Sequence, residues 1–210
     1  MSQQLIISVS REYGSGGHDI ALALSKYYDL PFYDKTFLDK IADEKGLDVK
    51  KLKRFDESPI NHFLYRTVKG YNNSPESGVA NLQFNYLKEK ADAGESFVIV
   101  GRCSEDILKT YPGFVSIFIL GDKEAKIKRV MERENMTYDE AVERAKKCDK
   151  KRKSYHNNFT ETKWGDSRNY DFSINSSKLG IDKTIQFIET YINARIEHEW
   201  FSRRKTGLSK

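Results

Sequence analysis

Leu5-Ile6-Ile7-Ser8-Val9-Ser10-Arg11-Glu12-Tyr13-Gly14-Ser15-Gly16-Gly17-His18-Asp19-Ile20-Ala21 carries three signals in one stretch. Leu5 to Val9 is a short β-branched apolar run, as in a strand buried on both faces. Gly14, Gly16 and Gly17 make a glycine-rich turn. Ile20, Ala21, Leu24 and Tyr27/Tyr28 then recur at helical spacing. The chain therefore opens strand, glycine loop, helix. In an open parallel sheet, ligands bind at the carboxyl ends of the strands. A glycine loop there lets backbone N–H groups approach a phosphate, and the helix N-terminus adds positive potential. The competing reading is an ordinary tight turn.

Outward from this stretch, the same alternation repeats. Pro31-Phe32-Tyr33, Phe97 to Val100, Phe114 to Leu120 and Tyr170 to Ile174 read as four more strands. Helical patterns lie between them, at Ile107-Leu108-Tyr111, at Ala125 to Met131, and after Thr137. Thr137 and Glu140 have the spacing of a capping box. Ile181, Ile185, Ile188, Tyr191 and Ile192 mark the last helix. Strands alternating with helices predict an α/β fold: a parallel sheet of about five strands with helices on both faces. Residues 35–94 have little strand signal and read as a helical insertion, with patterns at Phe37-Ile41, Phe63-Val68 and Val79-Leu87. The expected division is a core of 1–34, 95–136 and 169–194, an insertion at 35–94, a lid at 137–168 and a basic tail at 195–210.

With 210 residues, the chain is sized for one domain. It has no apolar run near the ~18–20 residues needed to span a bilayer. Nor does Met1-Ser2-Gln3-Gln4 resemble a secretory signal. Cys103 and Cys148 form no C-x-x-C pair, which suits a reducing cytoplasm. The net charge of +5 first suggests nucleic acid. Its location argues otherwise: residues 140–168 carry a net +4 and 195–210 a net +3, leaving the rest slightly acidic. No nucleic-acid motif accompanies the charge, and self-association is left open. The tail from Arg195 reads as the last helix fraying into solvent.

The full pattern G-x-x-x-x-G-K-[ST] is absent. If Gly16 is its second glycine, Arg11 holds the first-glycine slot, Gly17 the lysine slot and His18 the Ser/Thr slot. If Gly17 is the second glycine, His18 takes the lysine slot and Asp19 follows. In neither register does a lysine reach the phosphates. Arg11 and His18 are the local cations, and Asp19 could approach magnesium directly or through water.

The segment Ile7 to Gly17 resembles the opening signature of the cytidylate kinase-like family, an S-R-E-[YF]-G-S-G-G loop. Weaker likenesses follow at Pro31 to Lys35, Val98 to Arg102, Asp149 to Arg152 with Tyr155, Trp164 to Asp166, Tyr170-Asp171, and Asn175 to Gly180. The family usually has Arg-Glu where this chain has His18-Asp19, so the loop is one cation poorer. The resemblance implies a kinase using ATP and Mg²⁺, with CMP or dCMP as acceptor, a nucleotide-binding insertion and a mobile lid.

That reading ranks the cations. Gly14, Ser15, Gly16 and Gly17 would cradle donor phosphates, with Arg11 and His18 supplying charge and Asp19 beside them. Arg102 follows a buried strand and would grip the acceptor phosphate; the blander account pairs it with Glu105-Asp106. Arg152 would close with the lid, against the alternative of a solvated helix face. Lys147 and Lys151, four apart, face one way. Asp34 would meet the acceptor base, order Arg11, or cap a helix. Arg66 would meet the acceptor phosphate, or lie on a helix surface. Trp164, Tyr155 and Tyr170 read as packing residues before stacking ones. No histidine or cysteine has a partner at metal-ligand spacing. Two other readings stand beside the kinase: a non-catalytic nucleotide binder, because the loop lysine is absent, and, ranked last, a nucleic-acid binder.

Overall fold

The computed structural model describes residues 4–56 and 74–205, with side chains as far as His198. The opening run forms β1 (Ile6–Arg11), and α1 (Gly17–Tyr27) follows the glycine turn. β2 (Phe32–Tyr33) leads into α2 (Phe37–Lys45), α3 (Val49–Phe55) and α4 (Pro75–Asp92). Then come β3 (Phe97–Val100), α5 (Ser104–Ile107), β4 (Phe114–Leu120), α6 (Lys123–Glu134) and α7 (Tyr138–Phe159). A single 3-10 turn at Ser167–Asn169 precedes β5 (Phe172–Asn175), α8 (Ser176–Leu179) and α9 (Ile181–Lys205).

All strand pairs are parallel, in the order β2-β3-β1-β4-β5. The chain runs from β1 to one edge, returns through β3, and crosses to β4 and β5 on the other side. β1 is thus the centre, and its carboxyl end lies at the point where the strand order reverses, the usual ligand position in such sheets.

Alternation along β1 assigns its two faces. Ile7 and Val9 join Ile20, Leu24, Ile117, Ile188 and Ile192 beneath α1 and α9. Ile6 joins Tyr33, Leu38, Tyr86, Phe97 and Ile99 beneath α2 and α4. Ser8 and Ser10 fall on this second face and are buried there. Their hydroxyls meet Ser104 Oγ at 2.7 Å and Glu105 Oε2 at 3.2 Å. The polar half of the strand therefore points at α5, and burial without those partners would be unfavourable.

The capping box at the start of α7 forms as its spacing predicts, with Thr137 and Glu140 bonding each other's backbone. Three elements differ from expectation. α3 is a short helix within the insertion whose apolar residues Val49, Leu52 and Phe55 are none of them fully buried, Leu52 and Phe55 packing on the edge of the second core; Asp48 starts it by accepting from the amides of Lys50 and Lys51. The helix expected at Ile107-Tyr111 already ends at Ile107, ahead of the turn at Pro112-Gly113. α9 continues to Lys205, so the stretch read as a fraying tail is largely helix. The helical pattern at Phe63-Val68 lies outside the described residues. No helix among the described residues is long and apolar enough to cross a membrane.

Candidate active site

The glycine loop is held open by packing from behind. Gly14 and Gly16 both have φ of +79°, a region that L side chains rarely adopt. A Cβ on Gly14 would stand 2.6 Å from the Lys126 carbonyl. The Ser15 hydroxyl donates to the Glu12 carbonyl at 2.8 Å, and the Ser15 carbonyl accepts from Ser176 Oγ at 2.6 Å. Arg129 donates to the Gly14 carbonyl at 3.1 Å. The loop's carbonyls are thereby engaged on the protein side, while α1 opens at Gly17.

His18 and Asp34 meet at the loop's rim, with Nε2 2.9 Å from Oδ2. Asp34 also accepts from the amide and hydroxyl of Thr36, each at 2.8 Å. Burial pushes its pKa up, but the bonds from His18 and Thr36 outweigh that and hold it below the ordinary value. Asp19 is exposed, with its carboxylate 3.6 Å from His18 Nδ1.

Three arginines from three distant segments converge beside the loop. Arg11 ends β1, Arg102 follows β3, and Arg152 lies on α7. With Ser10, Gly101 and Trp164 they line a cavity of about 20 Å³, about the room one water needs. Arg152 Nη1 donates to the Arg11 carbonyl at 3.1 Å, tying α7 to the end of β1.

Arg102 is buried, its side chain only 3% exposed. Its partner is Asp56 at the end of α3, not the Glu105-Asp106 pair beside it in sequence. The contact is bidentate, at 2.5 and 3.0 Å, and Gln83 donates to the same carboxylate at 2.9 Å. The backbone turns sharply to deliver it: Gly101, Arg102 and Cys103 have φ of +75°, +65° and +54°. Left-handed geometry costs about 1–2 kcal/mol per non-glycine residue, and such strain clusters at functional turns.

Several contacts here carry no signal in the sequence. Glu105 is buried and its Oε1 lies 2.7 Å from Nε2 of His156, which comes from α7. Asp149, also on α7, accepts from the Tyr13 amide at 2.7 Å. Burial there pushes the Asp149 carboxyl above its ordinary pKa. Lys126 Nζ lies 2.8 Å from Glu12. The Tyr13 ring is surrounded by the guanidinium groups of Arg133, Arg144 and Arg152, at 5.0, 5.8 and 5.3 Å, and its hydroxyl donates to Glu134. The loop is therefore less poor in cations than its own sequence implies; α6 and α7 supply them. On α7, Lys147 and Lys151 are exposed and point away, while the face bearing Asp149, Arg152 and His156 meets the site.

The aromatic residues pack. Trp164 lies edge-on to Phe118 at 5.3 Å, and Tyr170 tilts against the same ring at 5.1 Å. Cys103 is buried. Arg66 lies outside the described residues. A larger cavity of about 630 Å³ opens beside β4, lined by residues including Lys109, Arg168, Tyr170, Asp171 and Arg195. It lies away from the glycine loop, and Arg168 and Arg195 are each 2.5 Å from an aspartate, Asp166 and Asp171. The smaller cavity instead gathers the guanidinium-bearing residues Arg11, Arg102 and Arg152 at the end of β1. Among the described residues no group of three or more His, Cys, Asp or Glu could hold a metal ion.

The cytidylate kinase-like family matches over residues 6–178. Among solved structures, an uncharacterized protein from Eubacterium ventriosum ATCC 27560 is 41% identical, covers 90% of this chain and 99% of its own, and has a TM-score of 0.73. A shikimate kinase from Bacteroides thetaiotaomicron is 15% identical over 90% of this chain and 98% of its own, with a TM-score of 0.53. A gluconokinase from Sinorhizobium meliloti 1021 is 12% identical over 96% and 99%, with a TM-score of 0.55. The last two likenesses concern the fold, a kinase fold built on a parallel sheet. Comparison with curated proteins finds no match.

Proposed function

The chain belongs to the cytidylate kinase-like family, and from that premise we propose that it transfers the γ-phosphoryl group of ATP to a nucleoside monophosphate, CMP or dCMP. The observation that carries this reading is the convergence of Arg11, Arg102 and Arg152 on one small cavity beside the glycine loop. Phosphoryl transfer asks little covalent chemistry of a protein; it asks for alignment and for positive charge around the moving oxygens. Three guanidinium groups suit a reaction in which donor and acceptor both carry phosphates.

In the proposed reaction an oxygen of the acceptor phosphate attacks the γ-phosphorus and forms the new P–O bond. The bond from that phosphorus to the β–γ bridging oxygen breaks, and ADP leaves with the electron pair. The acceptor oxygen is already ionised, so no general base is required. Arg102 holds the acceptor phosphate, exchanging Asp56 for it. Arg152 arrives with α7, the lid, and Arg11 faces the transferring group. Gly14, Ser15, Gly16 and Gly17 receive the donor phosphates on backbone amides. His18 and Asp34 border the loop on the acceptor side, where Arg66 would also act.

Asp19 fits a magnesium ion carried by the nucleotide. Its carboxylate is exposed near the loop, and Mg²⁺ is usually held by one or two carboxylates together with substrate phosphates and water. When bound, the ion neutralises charge on the phosphates.

A coupled assay of ADP release with Mg·ATP and each nucleoside monophosphate tests the proposal. Turnover should be highest with CMP or dCMP; intact ATP binding with no turnover on any acceptor sinks it. One observation favours a second reading, a nucleotide binder without turnover. The Asp149 carboxylate sits on the Tyr13 amide, so the loop already holds an anion from α7. That reading expects calorimetric binding of ATP or CMP and no ADP release.

A further inference from the structure

We propose that Arg11 does the work of the missing loop lysine, and that Gly17 is a glycine because the root of Arg11's side chain takes its space. This rests on the phosphate-binding reading above and names the cation it depends on.

α1 begins at Gly17, with Gly16 as its N-cap in left-handed geometry. That selects the register in which Gly16 is the second glycine of the loop. The lysine slot is then Gly17, and the first-glycine slot is Arg11. Glycine and cation have changed places.

The structure gives the steric reason. A Cβ on Gly17 would lie 2.5 Å from Arg11 Cβ and 3.0 Å from Arg11 Cγ. The Cβ is placed by the backbone and cannot swing aside without moving the end of β1, and the Cγ adds to the crowding in the conformation it adopts. Position 11 and position 17 share one volume, and only one of them can carry a side chain. Further out, a Cβ on Gly101 would lie 2.6 Å from Arg11 Nη1. The arginine therefore runs from the end of β1, past the first residue of α1, to the end of β3. Its stem rests on one glycine and its guanidinium on the other. It ends at the cavity it shares with Arg102 and Arg152. A loop lysine is anchored on the helix and reaches back over the phosphates; this chain reaches the same region from the strand. The outcome differs in kind as well as origin, because a guanidinium offers planar, bidentate donation where an ammonium is a point charge.

The exchange makes positions 11 and 17 reciprocal, and a swap tests it. Mg·ATP affinity is measured by calorimetry for Arg11→Gly, Gly17→Lys and the double variant. Arg11→Gly should weaken binding about ten- to hundredfold, the value of one charge-assisted contact. Gly17→Lys, with Arg11 retained, should bind worse than the parent protein and melt earlier. The double variant, with a lysine where a loop lysine belongs and room for it, should regain at least about tenfold over Arg11→Gly. Parental affinity in Arg11→Gly overturns the proposal. So does a folded double variant that binds no better than Arg11→Gly.

The steric half has its own readout. Gly17→Ala should lower the melting temperature in the parent and clearly less in the Arg11→Gly background. Arg11→Ala, which keeps the Cβ, should relieve it less than Arg11→Gly does. Equal losses in all three backgrounds overturn the exchange. If the parent protein itself fails to bind Mg·ATP, the nucleotide reading falls, while these melts still decide whether the two positions share one volume.

Discussion

Replacing Asp56 with asparagine should separate the structural and the ligand-binding duties of Arg102. Arg102 is 3% exposed and Asp56 17% exposed, and they meet through two bonds at 2.5 and 3.0 Å. Asparagine keeps one acceptor oxygen but turns an NH₂ group toward the guanidinium, so donor faces donor. Breaking one side of a buried pair costs about 3–5 kcal/mol, because the remaining charge stays desolvated. The partial exposure of Asp56 puts the expectation at the lower end, about 3 kcal/mol. For a domain of this size, each kcal/mol moves the melting temperature by about 2–4 °C, which gives a fall of about 6–12 °C. The assay is thermal melting of Asp56→Asn, Arg102→Ala and the double variant, with and without CMP. The double variant should melt close to the worse single variant, with a coupling energy well above the ~0.3–0.5 kcal/mol within which independent sites add. CMP at one fixed concentration, about 100 times the parent's dissociation constant, adds about 2.7 kcal/mol to the parent. It should stabilise Asp56→Asn more than the parent, since its phosphate no longer competes with a carboxylate for Arg102. Strict additivity of the single variants refutes the pairing. Equal CMP stabilisation of parent and Asp56→Asn refutes the exchange of Asp56 for phosphate.

Three further expectations concern the loop and the lid. Arg152→Ala should lower turnover by about 10²-fold, the usual loss on removing one transition-state donor, while Lys151→Ala, on the exposed side of α7, should stay near parental rates; equal effects contradict the assignment of faces. Gly14→Ala forces a side chain into φ +79° and against the Lys126 carbonyl at 2.6 Å, so it should destabilise by at least about 2 kcal/mol in chemical unfolding, and a smaller loss would mean the loop yields. Asp34 has a folded pKa held below its ordinary value by His18 and Thr36 against burial. Its stabilisation is therefore present above that value and lost as pH falls through the folded one. The stability gap between the parent and Asp34→Asn should narrow as pH falls below about 5, and a gap that stays constant tells against the pair.

The sequence by itself determined the elements and their class. β-Branched runs, a glycine turn and 3.6-residue spacing reflect local backbone and burial preferences, which act within one element. They suffice for a parallel α/β sheet, for the capping box of Thr137 and Glu140, and for a glycine loop between β1 and α1. Arg11, Arg102 and Arg152 stand out only when the family resemblance is added to their positions after a buried strand or on a basic helix. α3 escaped because it is only seven residues long, and Leu52 and Phe55 pack against the core only in part. What only the tertiary structure decided is which partner each charge meets. Asp56 lies 46 residues from Arg102, and Ser10 lies 95 from Glu105; such pairs depend on β3 lying beside β1 and on the end of α3 returning to the segment after β3. The same holds for the absent lysine. In sequence it is a deficit in one loop. In three dimensions Lys126, Arg129, Arg133 and Arg144 reach that loop from other helices, and Arg11 fills the space beside Gly17. Charge is a local property of the chain; the volume it occupies and the anion it faces are set by distant segments folding together.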